Sequence, residues 1–357
     1  MGINSTKAEL ILEDGSIFYG CSFGSKKSVT GEVVFNTGMV GYPESLTDAS
    51  YRGQILVLTY PLIGNYGVPG YEKEDNLLKY FESDRIQVQG LIITDYSYNY
   101  SHWNAKKSLS EWLNEHSIPA IYGIDTRELT KKLRKKGTMI GKIECNNENV
   151  SFEDPNKRNL MTEVSIDKPI IYKKGKKKII LIDCGTKNNI IRAFLRRGFT
   201  VIRVPWDYYF LDKKADGIII SNGPGNPKKC IQTIKNVKEA LSNNIPILGI
   251  CLGSQILALA TGANTYKLKY GHRGHNQPCV ETGTKRCYIT SQNHGYAVDA
   301  ETLPEDWREW FYNNNDGTNE GIIHISKPFF GTQFHPEASP GPDDTEFLFD
   351  MFVRSIK

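Results

Sequence analysis

Through the second half of the chain, short and mostly unbroken apolar runs alternate with stretches whose apolar residues recur at helical spacing. IILID (179–183), TVIRVP (200–205), GIIIS (217–221) and IPILGI (245–250) are of the first kind, and NNIIRAFLRR (188–197) and TIKNVKEALSN (233–243) are of the second. An apolar run of about four to eight residues without alternation predicts a strand buried on both faces. Strands separated by single helices predict a doubly wound, mainly parallel sheet, with ligands bound beyond the carboxyl ends of the strands. From 271 to 334 turns and shorter strands dominate, which predicts an appended antiparallel part.

The front half is patterned differently, as a mixed α/β domain. ELILEDGSIFYGCSFG reads as a hairpin about Asp14-Gly15, and QILVLTY and QGLIITD read as further short strands. Asp125 to Lys136 reads as a helix capped by Asp125, with Glu128 placed as in a capping box and Gly137 as its stop. Periodicity then fades from 145 to 178, ending in KKGKKK. These shifts predict an N-terminal domain over 1–145, a linker over 146–178 and a second domain over 179–357.

Charge and composition remove several classes. Lys and Arg number 44 against 40 Asp and Glu, a net charge of +4 that is too mild to imply nucleic acid. The basic cluster Lys131, Lys132, Arg134, Lys135 and Lys136 falls at a helix C-terminus, where the dipole favours cations, so it reads as a solvated face. No apolar run approaches the ~20 residues of a membrane span. MGINSTKAEL lacks a signal-peptide core, and its Met1-Gly2 start is only a loose match to a myristoylation pattern. Seven cysteines, an odd number without paired metal-type spacing, fit a reducing, cytoplasmic setting.

Candidate chemistry concentrates in three segments of the second domain. IPILGICLGSQILALATG places Cys251 between Gly249 and Gly253, where a strand gives way to a helix. This is the pattern of a nucleophile elbow, in which the side chain projects above the sheet at a helix N-terminus that favours a thiolate. FFGTQFHPEASPGP carries His335 and Glu337 two apart on a stretch read as extended about Pro336, so both point the same way. A base and an orienting carboxylate would complete a Cys-His-Glu triad. IIISNGPGNP ends a buried strand in a glycine-rich turn, suited to offering backbone N–H groups to a developing oxyanion.

Taken together, GICLGSQ, SNGPGNP, FHPEASPGP and SQNHGYAV resemble the triad-type, class I glutamine amidotransferases. VVFNTGMVGYPESLTDASYRGQILVLTYPLIGNYG (33–67) and IYGIDTRELTKKLRKKGTM (121–139) are similar to the front domain of the glutamine-hydrolysing small subunits of carbamoyl-phosphate synthetases, and KYGHRGHNQPCV (269–280) fits the same pattern. The resemblance implies that Cys251 attacks glutamine, that His335 transfers protons and that Glu337 orients it. It implies an oxyanion hole from the N–H groups of Leu252 and Gly223, and glutamine contacts at Ser50, Gly225, Gln255, Asn293, Gly295 and Tyr296. The partner implied is a large subunit that carries ATP, bicarbonate and metal ions; no cofactor is expected in this chain, and a higher oligomer of the heterodimer is compatible with it.

Ser254 stands where this family usually has histidine, a change expected to alter packing rather than catalysis. His272, His275 and His294 receive no role and are read as structural, since no Cys or carboxylate ligand lies near them in sequence. Two rival readings stay open here: the same glutaminase feeding a different synthetase, and a degenerate docking or regulatory subunit. Service to arginine or to pyrimidine synthesis is likewise open.

Overall fold

The computed structural model describes residues 6–145 and 150–356. The Met1-Gly2 motif and residues 146–149 of the expected linker lie outside them. Two compact units divide between Lys157 and Arg158.

In the first unit, Lys7–Leu12 and Ile17–Ser22 pair as the expected hairpin, with Gly15 at φ 83 in its turn. The hairpin is part of a closed seven-stranded barrel, which the sequence did not reveal. Its order is Lys7–Leu12, Met139–Cys145, Val29–Asn36, Gln54–Leu58, Gly90–Ile92, Ala120–Tyr122, Ile17–Ser22. Alternation along the strands serves two apolar layers. Val34, Leu56 and Leu91 join Trp112 and Leu113 in one cluster, while Val33, Ile55 and Val57 turn the other way and are just as buried.

The helix Thr126–Lys136 begins where Asp125 accepts the Glu128 N–H at 2.8 Å and stops at Gly137, φ 106. It buries Leu129 and Leu133. Two of its basic residues, Lys132 and Lys136, pair with Asp14 of the hairpin at 2.9 and 2.8 Å.

The second unit is built on one ten-stranded sheet. Four parallel neighbours, Thr200–Pro205, Lys178–Asp183, Gly217–Ile220 and Ile247–Ile250, are followed by a fifth, Phe329–Thr332. Isoleucine is frequent in Lys178–Asp183, Gly217–Ile220 and Ile247–Ile250 because helices cover both faces: Ile218, Ile220 and Ile247 pack with Leu252, Ile256 and Leu257 of the helix Leu252–Thr261, and Gly217 faces Phe352 of the helix Phe347–Ser355. Beyond Phe329–Thr332 the sheet runs on antiparallel through Asn319–His324, Trp307–Asn313, Asn264–Glu281 and Cys287–Asp299. The antiparallel part is therefore continuous with the parallel sheet, and two of its strands are long, at 18 and 13 residues. Within the stretch read as a linker, Met161–Val164 is helical and Ile170–Tyr172 pairs antiparallel with Thr200–Pro205 as an edge strand. Only three residues long, that strand is too short to show a period.

Among the described residues no helix is long and apolar enough to cross a membrane.

Candidate functional site

The register of two adjacent parallel strands brings the sequence-distant motifs together. Ile250 pairs with Thr332, so Cys251 and the Gln333–Glu337 segment leave the sheet side by side at its carboxyl edge. Cys251 is the N-cap of the helix Leu252–Thr261 and sits at φ 54, ψ −107. A non-glycine residue there is strained, and the strain is held by the Cys251 N–H donating to Thr332 O at 2.7 Å and by Ser254 N–H donating to Cys251 O at 3.0 Å. The flanking glycines are sterically required. A Cβ on Gly253 would lie 2.0 Å from Ile220 O, and one on Gly249 would lie 2.5 Å from Gly253 O.

The Cys251 Sγ lies 3.7 Å from Asn293 O and 3.7 Å from Gln333 Nε2. His335 Nδ1 and Glu337 Oε1 are 2.6 Å apart, and the backbone N–H of His335 donates to Ser291 O at 2.9 Å. The segment is a turn rather than the extended stretch expected, because the Ala338 N–H donates to His335 O at 3.1 Å. Pro336 follows His335 and favours that turn by fixing its own φ. His335 and Glu337 thus meet across a bend.

Both side chains are buried, and their charges decide each other's state. Burial alone would pull the His335 pKa down, yet the charges of Glu337 and of Cys251 raise it to about 10. Burial would raise that of Glu337, but Lys187 and His335 lower it to about 2. His335 Nε2, the nitrogen not bound to Glu337, has no hydrogen-bond partner among the described residues, and so remains available for proton transfer.

Lys187 is the residue that sequence reasoning missed. It is 2% exposed, its Nζ lies 3.1 Å from Glu337 Oε1, and it also donates to Ala338 O. Its backbone N–H donates to Asn222 Oδ1 at 3.0 Å, joining the end of the first parallel strand to the SNGPG turn. The available signal was a lysine just beyond the carboxyl end of strand IILID, where the fold places its ligands.

The turn itself is tightly placed: a Cβ on Gly223 would lie 2.1 Å from Cys184 O, and Gly225 has φ 80. Leu252 is the first residue of its helix, so its N–H has no intrahelical acceptor. Gln255 Nε2 donates to Tyr296 O at 2.8 Å and to Gln333 Oε1 at 2.9 Å, which ties helix to strand. Asn293, Gly295 and Tyr296 follow one another on Cys287–Asp299, beside the thiol through Asn293 O. Ser254 is buried against the neighbouring strand, since a Cβ on Gly331 would lie 2.5 Å from its Oγ. Ser50 belongs to the first unit, where Asp48 accepts its N–H at 2.9 Å and the residue is buried.

Of the unassigned histidines, His275 is held neutral by burial and by the Lys187 charge, its pKa near 4. The expectation that no carboxylate lies near the others does not hold in three dimensions. His272 meets Asp316 and Glu320, and His294 meets Glu320.

Residues 180–355 match the family Glutamine amidotransferase class-I, and residues 10–143 match Carbamoyl-phosphate synthase small chain, CPSase domain. The carbamoyl phosphate synthase arginine-specific small chain of Saccharomyces cerevisiae is 53% identical over 371 residues, covering 100% of this chain and 90% of that protein. The Multifunctional protein CAD of Squalus acanthias is 57% identical over 98% of this chain but only 16% of that protein. The mitochondrial carbamoyl-phosphate synthase (ammonia) of Homo sapiens is 51% identical over all of this chain and 24% of its own length. The chain thus spans most of one relative and less than a quarter of the other two. The two matched families in this order, and the 53% identity that runs through nearly all of a small chain, place this protein in the carbamoyl-phosphate synthase small chain family, with a class-I glutamine amidotransferase domain as its second half.

Proposed function

We propose that the chain hydrolyses L-glutamine to glutamate and ammonia, and delivers the ammonia to a large partner subunit for carbamoyl phosphate synthesis. The observation that carries this reading is the strained Cys251 elbow beside a buried His335–Glu337–Lys187 chain. Sγ attacks the side-chain carboxamide carbon. As the C–N bond breaks, the proton on His335 leaves with ammonia and a γ-glutamyl thioester remains. Water then attacks the thioester, His335 accepts a water proton, and glutamate departs as the sulfur is regenerated. Glu337 stabilises the imidazolium, and Lys187 is a positioning residue that keeps Glu337 ionised. The Leu252 and Gly223 N–H groups serve as the oxyanion hole, and Ser50, Gly225, Gln255, Asn293, Gly295 and Tyr296 as glutamine contacts.

ATP, bicarbonate and metal ions for the remaining steps are assigned to the partner, in a heterodimer that can associate further. The odd number of cysteines, seven, supports a reducing compartment, the cytoplasm in this reading. A docking or regulatory subunit without glutaminase activity is the second reading, raised by the relative named for ammonia. The intact Cys251, His335 and Glu337 favour hydrolysis. Cys251→Ser decides between them: in the reconstituted complex it is expected to abolish glutamine-dependent synthesis while ammonia-dependent synthesis persists. Near-normal glutamine use by this variant would remove Cys251 as the nucleophile.

A further inference from the structure

Three strands of the antiparallel half converge on a buried cluster that the glutaminase chemistry does not use. His272 comes from Asn264–Glu281, Gln292 and His294 from Cys287–Asp299, and Glu320 from Asn319–His324. All four are at least nine-tenths buried.

Hydrogen-bond counting at His294 exposes a conflict. Its Nδ1 faces Tyr296 O at 2.9 Å, while its Nε2 faces Gln292 Oε1 at 3.3 Å and Glu320 Oε1 at 3.6 Å. Every one of these neighbours is an acceptor, whereas a neutral imidazole carries one N–H. Gln292 keeps its amide oxygen toward His294 by donating its Nε2 to Cys279 Sγ at 3.2 Å as well as to Thr290 Oγ1 at 3.1 Å, and that hydroxyl spends its own proton on Gln277 O at 2.9 Å. With Nδ1–H on the shorter contact, the Nε2 lone pair points at two oxygens. Glu320 Oε2 is itself buried without a hydrogen-bond partner among the described residues.

A cation at this point resolves the conflict. We propose that His272 Nδ1, His294 Nε2 and Glu320 Oε1 bind one divalent ion of the zinc class, with Gln292 Oε1 as the fourth donor. The donor atoms of the two histidines and Glu320 all lie within 4.8 Å of one another. Bonds of about 2.0–2.1 Å in a tetrahedron set neighbouring donors roughly 3.3 Å apart. The separations of Glu320 Oε1 from His272 Nδ1, at 3.2 Å, and from His294 Nε2, at 3.6 Å, bracket that distance, and the Gln292 contact at 3.3 Å meets it.

The outer nitrogens are arranged as histidine ligands require. His272 Nε2 is 2.8 Å from Asp316 Oδ2, and His294 Nδ1 meets a backbone carbonyl, so each ring turns its inner nitrogen toward the cluster, where the Asn313 amide Nδ2 lies 3.4 Å from both His272 Nδ1 and Glu320 Oε1 and gives way to the ion. Four side-chain donors leave no open position, which makes the site structural. The ion pins three strands together behind Asn293, whose carbonyl lies beside the Cys251 thiol.

The test uses the full chain in the Cys251→Ser background, so that the elbow thiol contributes no binding. After chelator treatment, Zn²⁺ is expected to return to one ion per chain by elemental analysis and to raise the thermal midpoint, and Co²⁺ to give the visible absorption of a tetrahedral site. His272→Ala and Glu320→Gln are each expected to weaken binding at least tenfold. If a variant does not fold, the Co²⁺ spectrum and stoichiometry of the parent protein decide by themselves. A parent chain that takes up no stoichiometric Zn²⁺, or a folded His272→Ala that binds it equally well, overturns the proposal. The cluster would then be a protonated His272 held between Asp316 and Glu320.

Discussion

At the scale of single residues, the site is governed by the mutual stabilisation of three buried charges. Glu337 is ionised far below the ordinary carboxylate range, and His335 stays protonated well above neutrality. Each state has a stability consequence of fixed sign. A depressed carboxylate contributes fully above its ordinary 4.5 and loses the contribution as pH falls toward 2. A raised histidine contributes fully below its ordinary 6.5 and loses the contribution as pH rises toward 10. Both are therefore complete between these ordinary values. Glu337→Gln should flatten the acid limb of a urea-midpoint profile, and should shift the alkaline loss toward neutrality because the imidazolium has lost its partner. Parallel profiles for variant and parent would refute the coupling. The same protonation predicts that glutaminase activity shows no histidine-like limb near pH 6.5, since the proton for departing ammonia is already on His335.

At the scale of elements, the elbow depends on how closely a helix approaches a strand. Gly253 sits in the first turn of Leu252–Thr261, where alanine would gain up to about 1 kcal/mol in helix propensity. Its Cβ, however, would meet Ile220 O at 2.0 Å, and overpacking of this kind costs about 1–3 kcal/mol. The clash is with backbone, which cannot rotate away, so Gly253→Ala should lower the thermal midpoint and reduce kcat by moving Cys251. A raised midpoint with unchanged kcat would show that helix and strand can separate freely. The same closeness explains what could be read in advance. Buried strands such as Ile218–Ile220 are legible because both faces are covered and the apolar run is unbroken. The barrel was illegible because Gly90–Ile92 and Ala120–Tyr122 are three residues long and its closure pairs Lys7–Leu12 with Met139–Cys145. The long strand Asn264–Glu281 was hidden by register shifts between Lys267 and His272 and between Gly274 and Gln277, which break its alternation. Cys251, His335 and Glu337 were legible as motifs, whereas Lys187 acquires its meaning only when the sheet sets it against Glu337.

At the scale of the whole molecule, the question is whether the barrel unit takes part in glutamine binding. Ser50 lies in the short 3-10 turn Ala49–Tyr51, capped by Asp48 and followed by the strand Gln54–Leu58, so its backbone position is well defined. In the function proposed above, its hydroxyl binds the substrate's α-carboxylate or α-amino group. A hydrogen bond to a charged group contributes roughly 1.5–3 kcal/mol, about one to two orders of magnitude in an equilibrium constant. The α-substituents are bound alike in ground and transition states, because the chemistry occurs at the distant carboxamide. Loss of such uniform binding raises KM and leaves kcat nearly unchanged. Ser50→Ala, assayed in the assembled complex, should therefore raise the glutamine KM by about ten- to a hundredfold while ammonia-dependent synthesis stays at the parent rate. An unaltered glutamine KM would confine the binding site to the second unit and leave Ser50 as a residue of the turn. A matching loss of ammonia-dependent synthesis would instead place the defect in assembly, because that reaction never uses the glutamine site.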